Sequence, residues 1–216
     1  MKALGLIEVY GFTTALYAAD LMAKTSDVKI IAFDRNRPFN PGFPVPLIMV
    51  AKVEGTVSSV NSAIEAAKEY AEGKGKFIVS HVIPRPEDSS EKMAYLNDIN
   101  RDKFNKNMPK TMKGVNSSSI DFSGALGIIE VEGFVCSVET LDTMLKAAEV
   151  RLVHTEERLG GRLVTLVITG EVSAVKAAIE AGKVNGAKFG KVYGDEVIAR
   201  PHKELLKFFD LEAIGK

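Results

Sequence analysis

The chain contains a second copy of itself, and no other feature limits its fold so tightly. Residues 3–12 read ALGLIEVYGF and residues 125–134 read ALGIIEVEGF, an offset of 122. The offset holds through Asp20 and Asp142, Met22 and Met144, Lys24 and Lys146, and Val28 and Val150. Further on, GTVSSVNSAIEAAK at 55–68 matches GEVSAVKAAIEAGK at 170–183, and VIPRP at 82–86 matches VIARP at 197–201, both now at an offset of 115. The difference of seven puts seven extra residues into the first copy between about 33 and 47. Two blocks repeated in the same order mean one structural unit used twice. The expected organisation is a domain over 1–86, a helical tail and linker over 87–123, a second domain over 124–202 and a C-terminal helical tail over 203–216. The 216 residues suit two domains of about 100 residues each.

Within one copy the hydrophobic period changes in a fixed order. Ala3–Val9 is short, apolar and β-rich, and Gly11 ends it. Phe12, Leu16, Ala19 and Met22 recur at helical spacing, which predicts an amphipathic helix over 12–25. Val28–Phe33 and Leu47–Val53 read as strands separated by a Pro/Gly-rich loop, Arg35 to Pro46. Thr56 or Ser58 is placed to cap a helix that buries Val57, Val60, Ile64 and Ala67, and Gly73-Lys74-Gly75 stops it. Phe77–Ile83 is the fourth strand. The order β-α-β-β-α-β predicts an α+β fold: two tandem ferredoxin-like units with antiparallel sheets and helices on one face. The second copy repeats it, with Phe134, Val138, Leu141 and Leu145 on its first helix. Residues 90–104 are compatible with a helix and 105–121 with a linker. His202–Leu211 predicts a short helix placed against its own domain as the first tail is against the first.

Composition excludes several classes. Lys plus Arg number 28 and so do Asp plus Glu, so no net charge draws the chain to nucleic acid or an anionic membrane. No apolar run is long enough to span a bilayer, and a strand-like pattern from the third residue argues against a signal peptide. One cysteine, Cys136, forms no internal disulfide and fits a reducing cytosol. It falls on the first helix of copy two and reads as a core thiol. Neither common phosphate-binding glycine motif occurs, and Gly73–Lys76 follows a helix where a phosphate loop precedes one. His81, His154 and His202 have no ligand partners at metal-binding spacing and read as strand surface, strand end and helix start. Glu8 and Glu130, a carboxylate at the same place in both copies, read as structural hydrogen-bond acceptors. No catalytic set, metal site or cofactor is expected. Charges kept in both copies, Lys24 with Lys146 and Arg85 with Arg200, suggest a contact repeated around an assembly.

ALG-I-E-V-GF, D-M-K, G-V-V-AI-A and VIPRP closely resemble the bacterial microcompartment shell domain, and two copies in one chain resemble its tandem, trimer-forming members. Each copy runs from the ALG strand to the RP segment, which resembles the unpermuted class. The resemblance implies a structural shell protein in the cytoplasm: a homotrimer posing as a hexamer, tiling with other shell proteins and passing small metabolites through a central pore. It implies that Lys24, Lys146, Arg85, Pro86, Arg200, Pro201 and His202 form tile edges, with Glu87 standing where copy two has His202. It implies pore loops at Arg35, Asn36, Arg37, Pro38, Phe39, Asn40, Pro41 and Gly42, and at Leu159, Gly160 and Gly161. Some tandem members hold an iron–sulfur cluster through a loop cysteine; neither loop here has one, so no cluster is expected. If Arg35 and Arg37 face the pore, offset by Asp34, small anionic or polar metabolites are expected to be preferred; the alternative is that the two arginines only solvate the rim. The competing expectation is a trimeric ferredoxin-like regulator that binds a small effector between subunits.

Overall fold

The computed structural model describes residues 2–36, 42–87, 94, 122–156 and 162–209. The first repeat forms β1 (Ala3–Tyr10), α1 (Phe12–Thr25), β2 (Val28–Asn36), β3 (Ile48–Gly55), α2 (Val57–Gly73) and β4 (Phe77–Ile83). The second forms β5 (Ala125–Glu132), α3 (Phe134–Ala147), β6 (Val150–Glu156), β7 (Leu163–Gly170), α4 (Val172–Gly186) and β8 (Val192–Ile198), and a short α5 (Lys203–Leu206) follows. The sheets are ordered β2-β3-β1-β4 and β6-β7-β5-β8, and every pairing is antiparallel. This is the split α+β arrangement that the repeat predicts, made twice.

The helix-side face of each sheet is packed closely. Alternate residues of β1 point to opposite faces, so Ala3, Gly5, Ile7 and Val9 share one side. A side chain at Gly5 would meet Val60 at 2.6 Å, and one at Gly127 would meet Val175 at 2.7 Å. Glycine at this step lets the second helix of each repeat rest directly on the central strand. Thr56 caps α2 by accepting the Ser59 N–H, and Gly75, at φ +65°, ends it.

The other face of the central strand carries Leu4, Leu6 and Glu8 in one repeat and Leu126, Ile128 and Glu130 in the other. On this side Lys52 forms a buried ion pair with Asp34, and its Nζ also donates to the Ala94 carbonyl at 2.8 Å. Among the described residues Asp34 Oδ1 has no hydrogen-bond partner. Burial raises the Asp34 pKa, with Lys52 pulling the other way.

Two compact units divide the chain. Unit one holds the described residues of 1–10, 14–119 and 202–208; unit two holds those of 11–13, 120–201 and 209. The C-terminal segment therefore differs from expectation. It was expected beside its own repeat as a helix to Leu211; instead α5 ends at Leu206 and packs within unit one. Phe208 meets Phe33 edge-on at 5.0 Å, and Glu204 accepts the Ile30 N–H at 3.1 Å. Within unit two, His154 lies 5.7 Å from the Phe209 ring. Beyond Ala94, the helix expected over 90–104 and the linker over 105–121 lie outside the described residues.

Lys52→Met leaves the Asp34 carboxylate buried without its cation and is expected to cost about 3 kcal/mol. Because burial raises the Asp34 pKa, the folded state binds the proton more readily than the unfolded one, and stability falls as pH rises through that range. Urea unfolding should therefore show a larger loss for Lys52→Met at about pH 7 than at about pH 4. Adding Asp34→Asn should restore most of the loss.

Candidate functional site

Most expected edge residues can be placed. Lys24 ends α1, and its Nζ bonds Asp20 Oδ2 at 2.5 Å. Asp20 Oδ1 accepts the His202 N–H at 2.6 Å. His202 caps α5, its Nδ1 accepting the Glu204 N–H at 3.2 Å. Lys24, His202 and Glu204 thus share a cleft of about 500 Å3 in unit one, with Ala23, Lys29 and Lys203 also on its wall. In the second repeat Lys146 bonds Asp142 Oδ2 at 2.6 Å, but both side chains are in water. Asp142 holds the Lys146 ammonium above its ordinary pKa. Arg85 and Arg200 are exposed, Pro86 is buried and Pro201 half-buried. Sequence reasoning noticed Asp20 and Asp142 as repeated but gave them no role. Their place one helical turn before each lysine was the signal.

The loop residues divide differently from expectation. Arg35 and Asn36, expected in the first loop, lie in β2 opposite Met49 and Ile48, because backbone pairing with β3 continues past the apolar stretch. Asp34 also lies in the strand and is engaged by Lys52. Gly42 opens the turn before β3. Arg37, Pro38, Phe39, Asn40 and Pro41, and Leu159, Gly160 and Gly161, lie outside the described residues. Among the described residues no three His, Cys, Asp or Glu side chains gather to hold a metal. Cys136 is buried, with Sγ 3.4 Å from the Gly186 carbonyl.

The two first helices, alike in sequence, differ most in burial. Phe12 and Thr13 are each 1% exposed, whereas their counterparts Phe134 and Val135 are 68% and 71% exposed. Leu16 is 0% exposed and Val138 50%. Leu145 is also open where Ala23 is buried. The stripe expected to face the core of copy two is thus largely an outer face, and Cys136, Ser137, Thr140 and Met144 turn inward instead. The larger apolar residues of copy two, Val135 for Thr13 and Leu145 for Ala23, were the available sign of this difference.

A hydrogen bond marks the covered helix. The first turn of α1, residues 11–13, belongs to unit two, where the Phe12 N–H donates to Glu130 Oε1 at 3.1 Å. Glu130 is wholly buried, and a carboxylate so placed is stabilised by a helix N-terminus. This gives Glu130 the structural acceptor role read from the repeat. Gly11 and Gly133 precede the two helices at φ +85° and +93°, a conformation that favours glycine.

Burial lowers the His202 pKa, while Asp20 and Glu204 act to raise it and Lys203 and Lys24 to lower it. A lowered folded pKa means fewer protons bound when folded, so this contribution is full above the ordinary histidine value of about 6.5 and fades as pH falls. Amide exchange at Glu204 and Leu205, corrected for intrinsic rate, should lose protection between about pH 7 and about pH 5. His202→Asn, which keeps a capping acceptor, should flatten that dependence.

Comparison with known proteins places this arrangement. The BMC domain model matches residues 3–86 and again 125–201. The chain is 29% identical over 204 residues to the carboxysome assembly protein CcmO of Synechococcus elongatus, covering 94% of this chain and 67% of that protein. It therefore spans about two thirds of the length of CcmO. It is 41% identical over 91 residues to the bacterial microcompartment shell protein EutM of Salmonella typhimurium, 42% of this chain and 94% of that protein. It is 44% identical over 93 residues to the carboxysome shell protein CsoS1A of Hydrogenovibrio crunogenus, 43% of this chain and 96% of that protein. With a match over each repeat, the chain belongs to the BMC-domain family and carries that domain twice.

Proposed function

We propose that the chain is a structural tile of a bacterial microcompartment shell, in which three copies close a ring of six BMC domains. The contrast between α1 and α3 carries this reading. An apolar face as open as Phe134, Val135 and Val138 is rare on a protein that works alone. Its counterpart on α1 is covered within the chain. The missing cover for α3 is then a second chain, joined head to tail. A heterologous contact of this kind generates a ring when the rotation closes. Two domains per chain make three chains the count for a six-domain ring.

The rest of the reading follows from the family. Lys24, Arg85, Pro86, Lys146, Arg200, Pro201 and His202 form the edges at which rings meet one another and other shell proteins. The segment from Arg35 to Gly42 and the segment with Leu159, Gly160 and Gly161 surround a central pore for small metabolites. The tile sits in a shell inside the cytoplasm, as the names of EutM and CsoS1A as shell proteins suggest. It works as a wall and a sieve, without a reaction of its own.

The test is mass measurement with electron microscopy. Wild type should run as a trimer and form sheets or tubes. Val138→Asp, which puts a charge on the α3 face, should give a folded monomer with an unchanged circular dichroism spectrum. Lys24→Ala should keep the trimer and lose most of the sheets. A wild-type monomer at all concentrations overturns the reading. A trimer that never tiles and binds a small effector saturably replaces it with the regulator.

A further inference from the structure

We propose that Glu8 of one chain receives the first turn of α3 from a second copy of this chain, its carboxylate accepting the Phe134 N–H. The inference rests on the trimer reading and names the contact that closes each joint between chains.

The repeat supplies the template. Within unit two the Phe12 N–H donates to Glu130 at 3.1 Å. The offset of 122 carries Phe12 onto Phe134, and Glu130 back onto Glu8. Both halves of the second contact stand open. Gly133 offers no side-chain cap to α3, so among the described residues no side chain caps the Phe134 N–H at its start. Glu8 is half-buried on the face of β1 turned away from α2, and among the described residues no hydrogen bond or ion pair engages it. Its register neighbours are Val50 and Val79, and Val79 is an exposed apolar residue. The surface around Glu8 therefore offers an anion beside apolar area, and the start of α3 offers a positive helix end beside Phe134 and Val135. Each surface lacks what the other carries.

A second correspondence between the repeats points to the same partner. Asp20, on α1, accepts the His202 N–H at 2.6 Å and is buried. Asp142, its counterpart on α3, is open to water. The offset of 115 carries His202 back onto Glu87. In the second copy docked through Glu8, the backbone N–H of Glu87 meets Asp142. One placement of a second chain thus answers the start and the middle of α3 together.

The monomer–trimer midpoint of wild type, Glu8→Gln and Glu8→Ala tests this, read by mass photometry or sedimentation, with amide exchange at Phe134 as a second measurement. Glu8→Ala should raise the midpoint about tenfold or more, the usual worth of a charge-assisted hydrogen bond, and Glu8→Gln less. The Phe134 amide should gain protection on trimerisation in wild type and not in Glu8→Ala, while the Phe12 amide stays protected in both. Among the described residues no hydrogen bond or ion pair engages Glu8, so the melting curve of the monomer should not change. A wild-type trimer whose midpoint and Phe134 protection are untouched by Glu8→Ala overturns the Glu8 contact and leaves the tile intact. A wild type that never associates overturns both.

Discussion

A carboxylate in the middle of a central strand has to be given a donor before it can be buried, and this requirement organises the molecule. Each repeat places a glutamate on the sheet face turned away from its second helix. Without such a donor the carboxylate stays half-exposed, as Glu8 does. At Glu130 the first turn of α1 supplies the donor, and Leu126 and Ile128 on the same face are fully buried. The helix end gains an acceptor for an otherwise unmatched N–H, and the carboxylate gains partial positive charge. Neither group is satisfied by its own repeat.

The chain solves the problem once, because one covalent connection brings only one helix start to one glutamate. The second start, at Phe134, and the second glutamate, at Glu8, are left over by arithmetic. The C-terminal segment obeys the same logic. It follows the second repeat in sequence but seats in unit one, where Asp20, Phe33 and the Ile30 N–H hold it. Two repeats in tandem are therefore an unequal set of contacts: Glu130 and the start of α1 meet, while the start of α3 has no side-chain cap.

Much of this was legible in the sequence. The strands and helices showed because apolar spacing changes between two and 3.6 residues, and because every reading could be checked against its copy. The two-unit fold and the acceptor role of Glu130 came from the same source. What escaped was tertiary. Val138 and Leu145 have the spacing of a core stripe, and spacing cannot say whether the surface that covers a stripe lies in the same chain. The extension of β2 through Arg35 and Asn36 escaped because backbone pairing to β3 does not ask for apolar side chains. The seat of the tail escaped because Leu205 and Phe208 announce burial without naming their neighbours. The pore segments rest on resemblance, since their residues carry no period to read.

Thr13 and Val135 occupy the same step of the two helices, and the difference between them has a meaning for duplicated proteins at large. Thr13 is buried with its hydroxyl unmatched among the described residues, at the first turn of α1. That turn is held by tethering: its partner is present at a high effective concentration however dilute the protein becomes. Val135 has no such tether and stands 71% exposed. Fusion of two copies thus gives the start of α1 a tethered acceptor and leaves the start of α3 without a side-chain cap. At the helix start that the chain leaves open stands the apolar Val135, where the tethered start has the hydroxyl-bearing Thr13.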